Sequence, residues 1–172
     1  MGKPNKKEYP APKALATTTN LTKDEAHKVT EALAGLTADA LALYVKTKNF
    51  HWHVAGPHFR SLHLLFDEHA AEILAMVDPL AERARKIGGT TIRSISHIES
   101  LTRVDDDNQE YVEAKDMVQR LIDDNKTLDA HLREAHSVAD EANDKATTSL
   151  LENYMDETQQ RIWFLFETYQ GM

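Results

Sequence analysis

Cysteine is absent from all 172 residues, which excludes disulfides, zinc–thiolate sites and thiol catalysis. A chain without thiols also suits work among oxidants. Proline and glycine are scarce: of the 5 prolines, Pro4, Pro10 and Pro12 lie at the start, leaving only Pro57 and Pro79, and there are 6 glycines. That scarcity favours long helices over many short strands. No apolar run approaches the roughly 18–20 residues that cross a bilayer, and the N-terminus lacks the apolar segment of a secretory signal. The expected setting is therefore the cytoplasm, with no membrane partner. HExxH, P-loop and GxGxxG patterns are missing, which argues against zinc proteases and nucleotide enzymes.

The charge is distributed unevenly, with a net positive balance at the start of the chain. The net charge is −8, yet residues 1–20 hold Lys3, Lys6, Lys7 and Lys13 against Glu8, a net of +3. Taking that +3 from −8 leaves −11 for the rest. With its three prolines and few large apolar residues, segment 1–21 reads as a flexible basic arm on an acidic body. Residues 22–172 are expected to form one domain with a proper core.

Four long helices are legible in that domain. Thr22 and Glu25 form a capping box, followed by Val29, Leu33, Leu36, Ala40, Leu43, Thr47 and Phe50 at alternating intervals of four and three. Gly56-Pro57 breaks this helix, with Pro57 suited to the first turn of the next. The second carries Leu62, Leu65, His69, Ile73, Met76, Leu80 and Ile87 and ends at Gly88-Gly89. Pro79 inside it should kink it or remove a hydrogen bond. A third is expected over about 109–139 and a fourth over about 145–169, its stripe running Leu151, Tyr154, Thr158, Ile162, Leu165 and Tyr169. The link between the second and third, "TTIRSISHIESLTRVDDDNQ", reaches roughly 65 Å when extended and can run the length of a ~45 Å helix. "RSISHIESL" within it can form a short helix. The pattern is all-α: a ferritin-like four-helix bundle whose long crossover carries a short helix between helices two and three.

The chemistry concentrates in "NFHWHVAGPHFRSLHLLFDEH", which holds His51, His53, His58, His63 and His69, five of the chain's 9 histidines. On the second helix His63 and Asp67 are four apart, as are Asp78 and Glu82, so each pair stacks on one face. Asp67 and Asp78 are eleven apart, ~20° from eclipsed, which puts both pairs on nearly one stripe. Imidazole with carboxylate suits Fe(II), Mn(II) or Zn(II). The pairs lie roughly 16–22 Å apart along one helix and cannot share an ion there. Two antiparallel copies about a twofold axis near Glu72 and Ile73 would bring His63 and Asp67 of one chain to Asp78 and Glu82 of the other. His51, at the end of the first helix, could reach the same place across the Gly56-Pro57 turn.

These motifs, with "HW", "GPHF" and "AER…GG" around them, resemble Dps, the DNA-binding proteins from starved cells, a ferritin-like family of twelve-subunit shells. The resemblance runs along most of residues 22–170. The family's ferroxidase spacing is filled by His51, His63, Asp67, Asp78 and Glu82. What it implies is a ferroxidase that oxidises Fe(II), preferably with hydrogen peroxide, at sites shared by two subunits of a dodecamer, and stores a ferric mineral protecting DNA under oxidative stress. Zinc or manganese could stand in for iron. Trp52 is a candidate radical sink beside the site. His53 stands where many members carry asparagine, and Pro79 follows a ligand aspartate. Glu-x-x-His, the ligand motif within single ferritin subunits, occurs nowhere.

Two expectations rest on charge. Asp140, Glu141 and Asp144, near the last helix–helix turn, are candidate pore residues for cations. Lys3, Lys6, Lys7 and Lys13, repeated on twelve arms, are candidates for salt-sensitive, sequence-independent contact with double-stranded DNA, which would place the protein with the nucleoid. The competing reading is a structural, nucleoid-condensing shell whose metal site is inactive or zinc-occupied. His53 and His58 are expected at solvent or a subunit contact and His69 in packing. His27, His97, His131 and His136 carry no partner pattern.

Overall fold

The computed structural model describes residues 13–172, and all their regular structure is helical. After a short 3-10 turn at Lys13–Leu15 come α1 (Lys23–His53), α2 (Phe59–Lys86), a short α3 (Ile95–Leu101), α4 (Ala114–Glu141) and α5 (Lys145–Gln170). α1 packs along α2 and α4 along α5, with α1 also on α4 and α3 lying against α1. Arg83, near the end of α2, reaches Asp144 just past the end of α4, so these two helices finish at the same end of the bundle and run parallel. That is the bundle with one long crossover that the patterning requires. No helix among the described residues is long and apolar enough to cross a membrane.

Local chemistry sets the helix ends. The Thr22–Glu25 box is formed in both directions. At the end of α2, Gly88 takes φ +91°, Gly89 N–H donates to Ala84 O (3.0 Å) and Gly88 N–H to Arg85 O (3.1 Å), a Schellman closure. A Cβ at Gly89 would land on the Thr30 side chain, so α1 also demands glycine there. α4 closes in the same way on Asn143 (φ 53°), with Asp144 N–H bonded to Ala139 O at 2.9 Å. Asp144 then caps α5, its carboxylate accepting from Thr147 N–H and Arg83. α2 continues through Pro79; what the proline removes is the amide that would have bonded to Ala75 O.

Two expectations need correction. α4 begins at Ala114 rather than near 109. The carbonyls of Asp105 and Asp107 are taken by Lys46 Nζ (3.1 Å) and Asn49 Nδ2 (3.3 Å) of α1, and Val112 is buried, which holds the preceding segment outside the helix. Pro57 lies in the turn before α2, whose first residue is Phe59. Ahead of α1, Leu15 O accepts from Arg85 (3.0 Å) and Leu21 packs on the core.

The crossover is anchored by a carboxylate. Asp39 of α1 is fully buried. Its Oδ1 accepts from Arg103 N–H (2.7 Å), and its Oδ2 from Arg103 Nη2 (2.6 Å) and His131 Nδ1 of α4 (3.1 Å). One side chain thus ties α1, the crossover and α4 together.

Candidate metal centre

The turn between α1 and α2 brings two histidines face to face. His51 and His63 stack with ring centroids 3.8 Å apart and planes 22° from parallel. His51 Nδ1 donates to His63 O at 2.7 Å, and His63 Nδ1 donates to His51 O at 2.8 Å. A carbonyl oxygen only accepts, so each Nδ1 carries the proton and each Nε2 keeps its lone pair. Backbone carbonyls therefore select the tautomer that can ligate, the orienting arrangement usual behind metal-bound histidine. His51 is buried and His63 half-buried.

Asp67 joins them one turn along α2, its Oδ1 3.9 Å from His51 Nε2. The same oxygen accepts from Lys48 Nζ at 2.7 Å. That hydrogen bond, the main cause, holds the Asp67 carboxyl below the usual carboxylate range. Lys48 also lies 5.8 Å from the centroid of the Trp52 ring, which is itself mostly exposed. The Lys48 ammonium thus sits on the Asp67 oxygen nearest His51.

Asp78 and Glu82 are exposed farther along α2, where Glu82 pairs with Lys86 at 3.3 Å. Among the described residues no three histidine or carboxylate side chains converge in one chain closely enough to hold an ion. His51, His63 and Asp67 supply donors on one side, and the other two expected ligands point into solvent elsewhere on the same helix.

The remaining candidates separate by burial. Asp144 is buried as the α5 cap, 2.5 Å from Arg83, so its carboxylate is not free to line a pore. Asp140 is exposed and paired with Lys145 at 2.6 Å, while Glu141 is exposed beside the start of α1. Lys13 is exposed; Lys3, Lys6 and Lys7 lie outside the described residues. His53 is exposed and donates to Asn49 O. Lys48, the Asp39–Arg103–His131 anchor and a buried Arg161 were missed by pattern reading. The available signal was a charge standing inside an apolar helical run, as Asp39 does in "LTADALAL".

His69 is buried against Phe164, and its Nδ1 has no partner among the described residues. Burial, with the Arg161 charge behind it, lowers its pKa to about 4. Between about pH 6.5 and 4 the unfolded chain binds a proton that the folded chain refuses, so stability must fall as pH falls through that window. His69→Leu should recover about 3 kcal/mol at pH 4 relative to pH 7, read by urea unfolding. An unchanged acid slope would show that His69 is not the group refusing the proton.

The comparisons agree with this architecture. A family model described as a ferritin-like domain matches residues 30–171. The chain is similar to an uncharacterized low temperature-induced protein of Nostoc, 34% identical over 88% of this chain and 85% of that one. It is likewise similar to a DNA protection during starvation protein of Helicobacter pylori, 32% identical over 80% of this chain and 96% of that one. The crystal structure of a Dps protein from Bacillus brevis matches with a TM-score of 0.82 at 32% identity, covering 86% of this chain and 99% of that one. The chain belongs to the ferritin-like family and, within it, to the Dps proteins.

Proposed function

We propose that this chain is a mini-ferritin that oxidises Fe(II) at sites shared between two subunits, stores the Fe(III) as mineral inside a closed shell of twelve, and so protects DNA. The observation that carries the reading is the reciprocal His51–His63 pair, which presents two lone pairs beside the Asp67 carboxylate. His51, His63 and Asp67 of one chain, with Asp78 and Glu82 of a second copy, would form one site, and the twofold would make two. Hard carboxylates favour Fe(III) over Fe(II) and so draw the electron out of the ion. With hydrogen peroxide as acceptor, two Fe(II) each give one electron, the O–O bond breaks, and with two waters the products are two FeO(OH) and four protons. Removing both electrons at one site avoids releasing hydroxyl radical. Trp52, beside His51, is suited to intercept any that escapes.

The test mixes the assembled protein with Fe(II) and either peroxide or dioxygen. Ferric absorbance should rise faster with peroxide, at two irons per peroxide consumed, and a spin trap should report less hydroxyl radical than iron alone. A protein that leaves the rate and the radical yield at the protein-free values would instead support the structural shell with an inactive or zinc-filled site. DNA contact is assigned to the lysines of the arm, because the body is acidic. Deleting residues 1–20 should abolish a low-salt mobility shift; a shift that survives deletion removes the arm as its agent.

A further inference from the structure

The first turns of α1 and the last turns of α4 enclose an open groove of about 660 Å³. Its floor is small and apolar, Ala32 with Val138 and Ala142. Ala32 and Val138 also line a second hollow of about 150 Å³ beside Ala135, so the floor continues along the two helices. The rim holds four carboxylates, Asp24, Glu25, Glu31 and Glu141, against the one ammonium of Lys28. Lys28 meets Asp24 at 2.8 Å, and the Glu25 carboxylate accepts from Thr22 N–H at 2.7 Å. Glu31, 3.7 Å from His27, and Glu141 are both exposed, and neither meets a lysine or arginine among the described residues.

The described chain begins at the same end of the bundle. α1 starts where α2 and α4 finish, since Gly89 after α2 abuts Thr30 of α1 and Arg83 pairs with Asp144. With Leu15 bonded to Arg85 and Thr17 beside Gly88, the chain enters on the α2 side of α1, and the groove lies on the α4 side. A helix is ~10–12 Å across and 12 extended residues reach roughly 40 Å, so residues 1–12 are long enough to cross α1. They carry Lys3, Lys6 and Lys7 against Glu8, with Tyr9, Pro10 and Pro12 following. Proline-rich segments favour an extended form that lies along shallow apolar grooves, and lysines complement a carboxylate rim. We infer that residues 1–12 dock in this groove of their own chain, with their lysines on the rim. Glu141, a pore candidate on charge alone, then faces the arm. The docking rests on charge, place and reach; that it withholds the lysines from DNA rests on the proposed DNA contact.

Trypsin tests the docking on the full-length assembled protein, because cleavage after Lys6 or Lys7 needs an undocked arm. At low salt, mass spectrometry should show these cuts about 3- to 10-fold faster in Glu31→Gln/Glu141→Gln than in the wild type. About 0.5 M salt should speed the wild-type cuts and leave the variant unchanged, with rates normalised to a free peptide of residues 1–20. Glu152→Gln/Asp156→Asn neutralises two exposed carboxylates that do not line the groove, and it should cut at the wild-type rate. Equal cleavage of the wild type and Glu31→Gln/Glu141→Gln, matched by circular dichroism and native mass, overturns the inference. So does a control pair that speeds the cuts as much. Should the groove variant not assemble, the wild-type salt response decides, and a normalised rate independent of salt overturns the docking. In a mobility shift the groove variant should bind double-stranded DNA more tightly than the control pair. Faster cleavage with unchanged DNA binding keeps the docking and removes the arm as the DNA contact.

Discussion

Fe(II) oxidation by peroxide should slow about 100-fold or more in the His63→Ala/Asp67→Ala variant, measured as the stopped-flow rise of ferric absorbance. The size follows from what the two side chains do. His63 offers one of the two Nε2 donors and stacks on the ring that offers the other. Its backbone carbonyl, which holds the His51 tautomer, survives in alanine, so the loss reports the imidazole itself. Asp67 is the one carboxylate paired with His51 among the described residues. Its removal also frees Lys48 to remain as an uncompensated positive charge where a divalent ion must land. Asp67 is more than half exposed, so its loss acts on binding of Fe(II) and not on folding; His63→Ala also gives up the bond to His51 O, so circular dichroism and native mass must match the wild type before the rates are compared. An unchanged rate would move the chemistry away from this end of α2.

The second large effect is on stability. Asp39→Ala should destabilise the fold by about 2–4 kcal/mol, read from the urea midpoint. Asp39 is fully buried and accepts from the Arg103 backbone, the Arg103 guanidinium and His131. Alanine leaves the Arg103 amide and His131 without acceptors, while the partly exposed guanidinium can turn to water, which keeps the penalty below that of a wholly buried ion pair. Asp39→Asn should recover only part of the loss, because an amide accepts through one oxygen and sets its own NH2 against the arginine. Amide exchange at residues 102–104 should rise with it, since the crossover loses its anchor on α1. A change below about 0.5 kcal/mol would mean that α3 and Val104 hold the crossover unaided.

The helices were legible because long three-four stripes, a capping box and paired glycines agree with one another along the chain. Register failed where a polar group beat an apolar neighbour to the core. Ile162 continued the α5 stripe on paper, yet Arg161 is the fully buried residue and Ile162 is half-buried, because Asn125, Thr158 and Glu72 satisfy the guanidinium. The start of α4 was misplaced because side chains of α1 take the backbone carbonyls of Asp105 and Asp107, which no periodicity in the sequence reports. The five-residue spacing of the candidate site could be read directly. The reciprocal His51–His63 bonds could not, since they depend on the turn through Gly56 (φ +98°) rather than on any periodicity. Asp144 resembled its acidic neighbours in composition; only its place as a cap, opposite Arg83, distinguishes it.

Mixed assemblies test the sharing of ligands most directly. One chain would carry His63→Ala/Asp67→Ala and the other Asp78→Ala/Glu82→Ala, each inactive alone. Dissociated, combined in equal amounts and reassembled, they should recover about a quarter of the wild-type oxidation rate, because half of random dimers are mixed and each mixed dimer holds one intact site of two. No recovery from a properly reassembled mixture would contradict a site completed by a second copy.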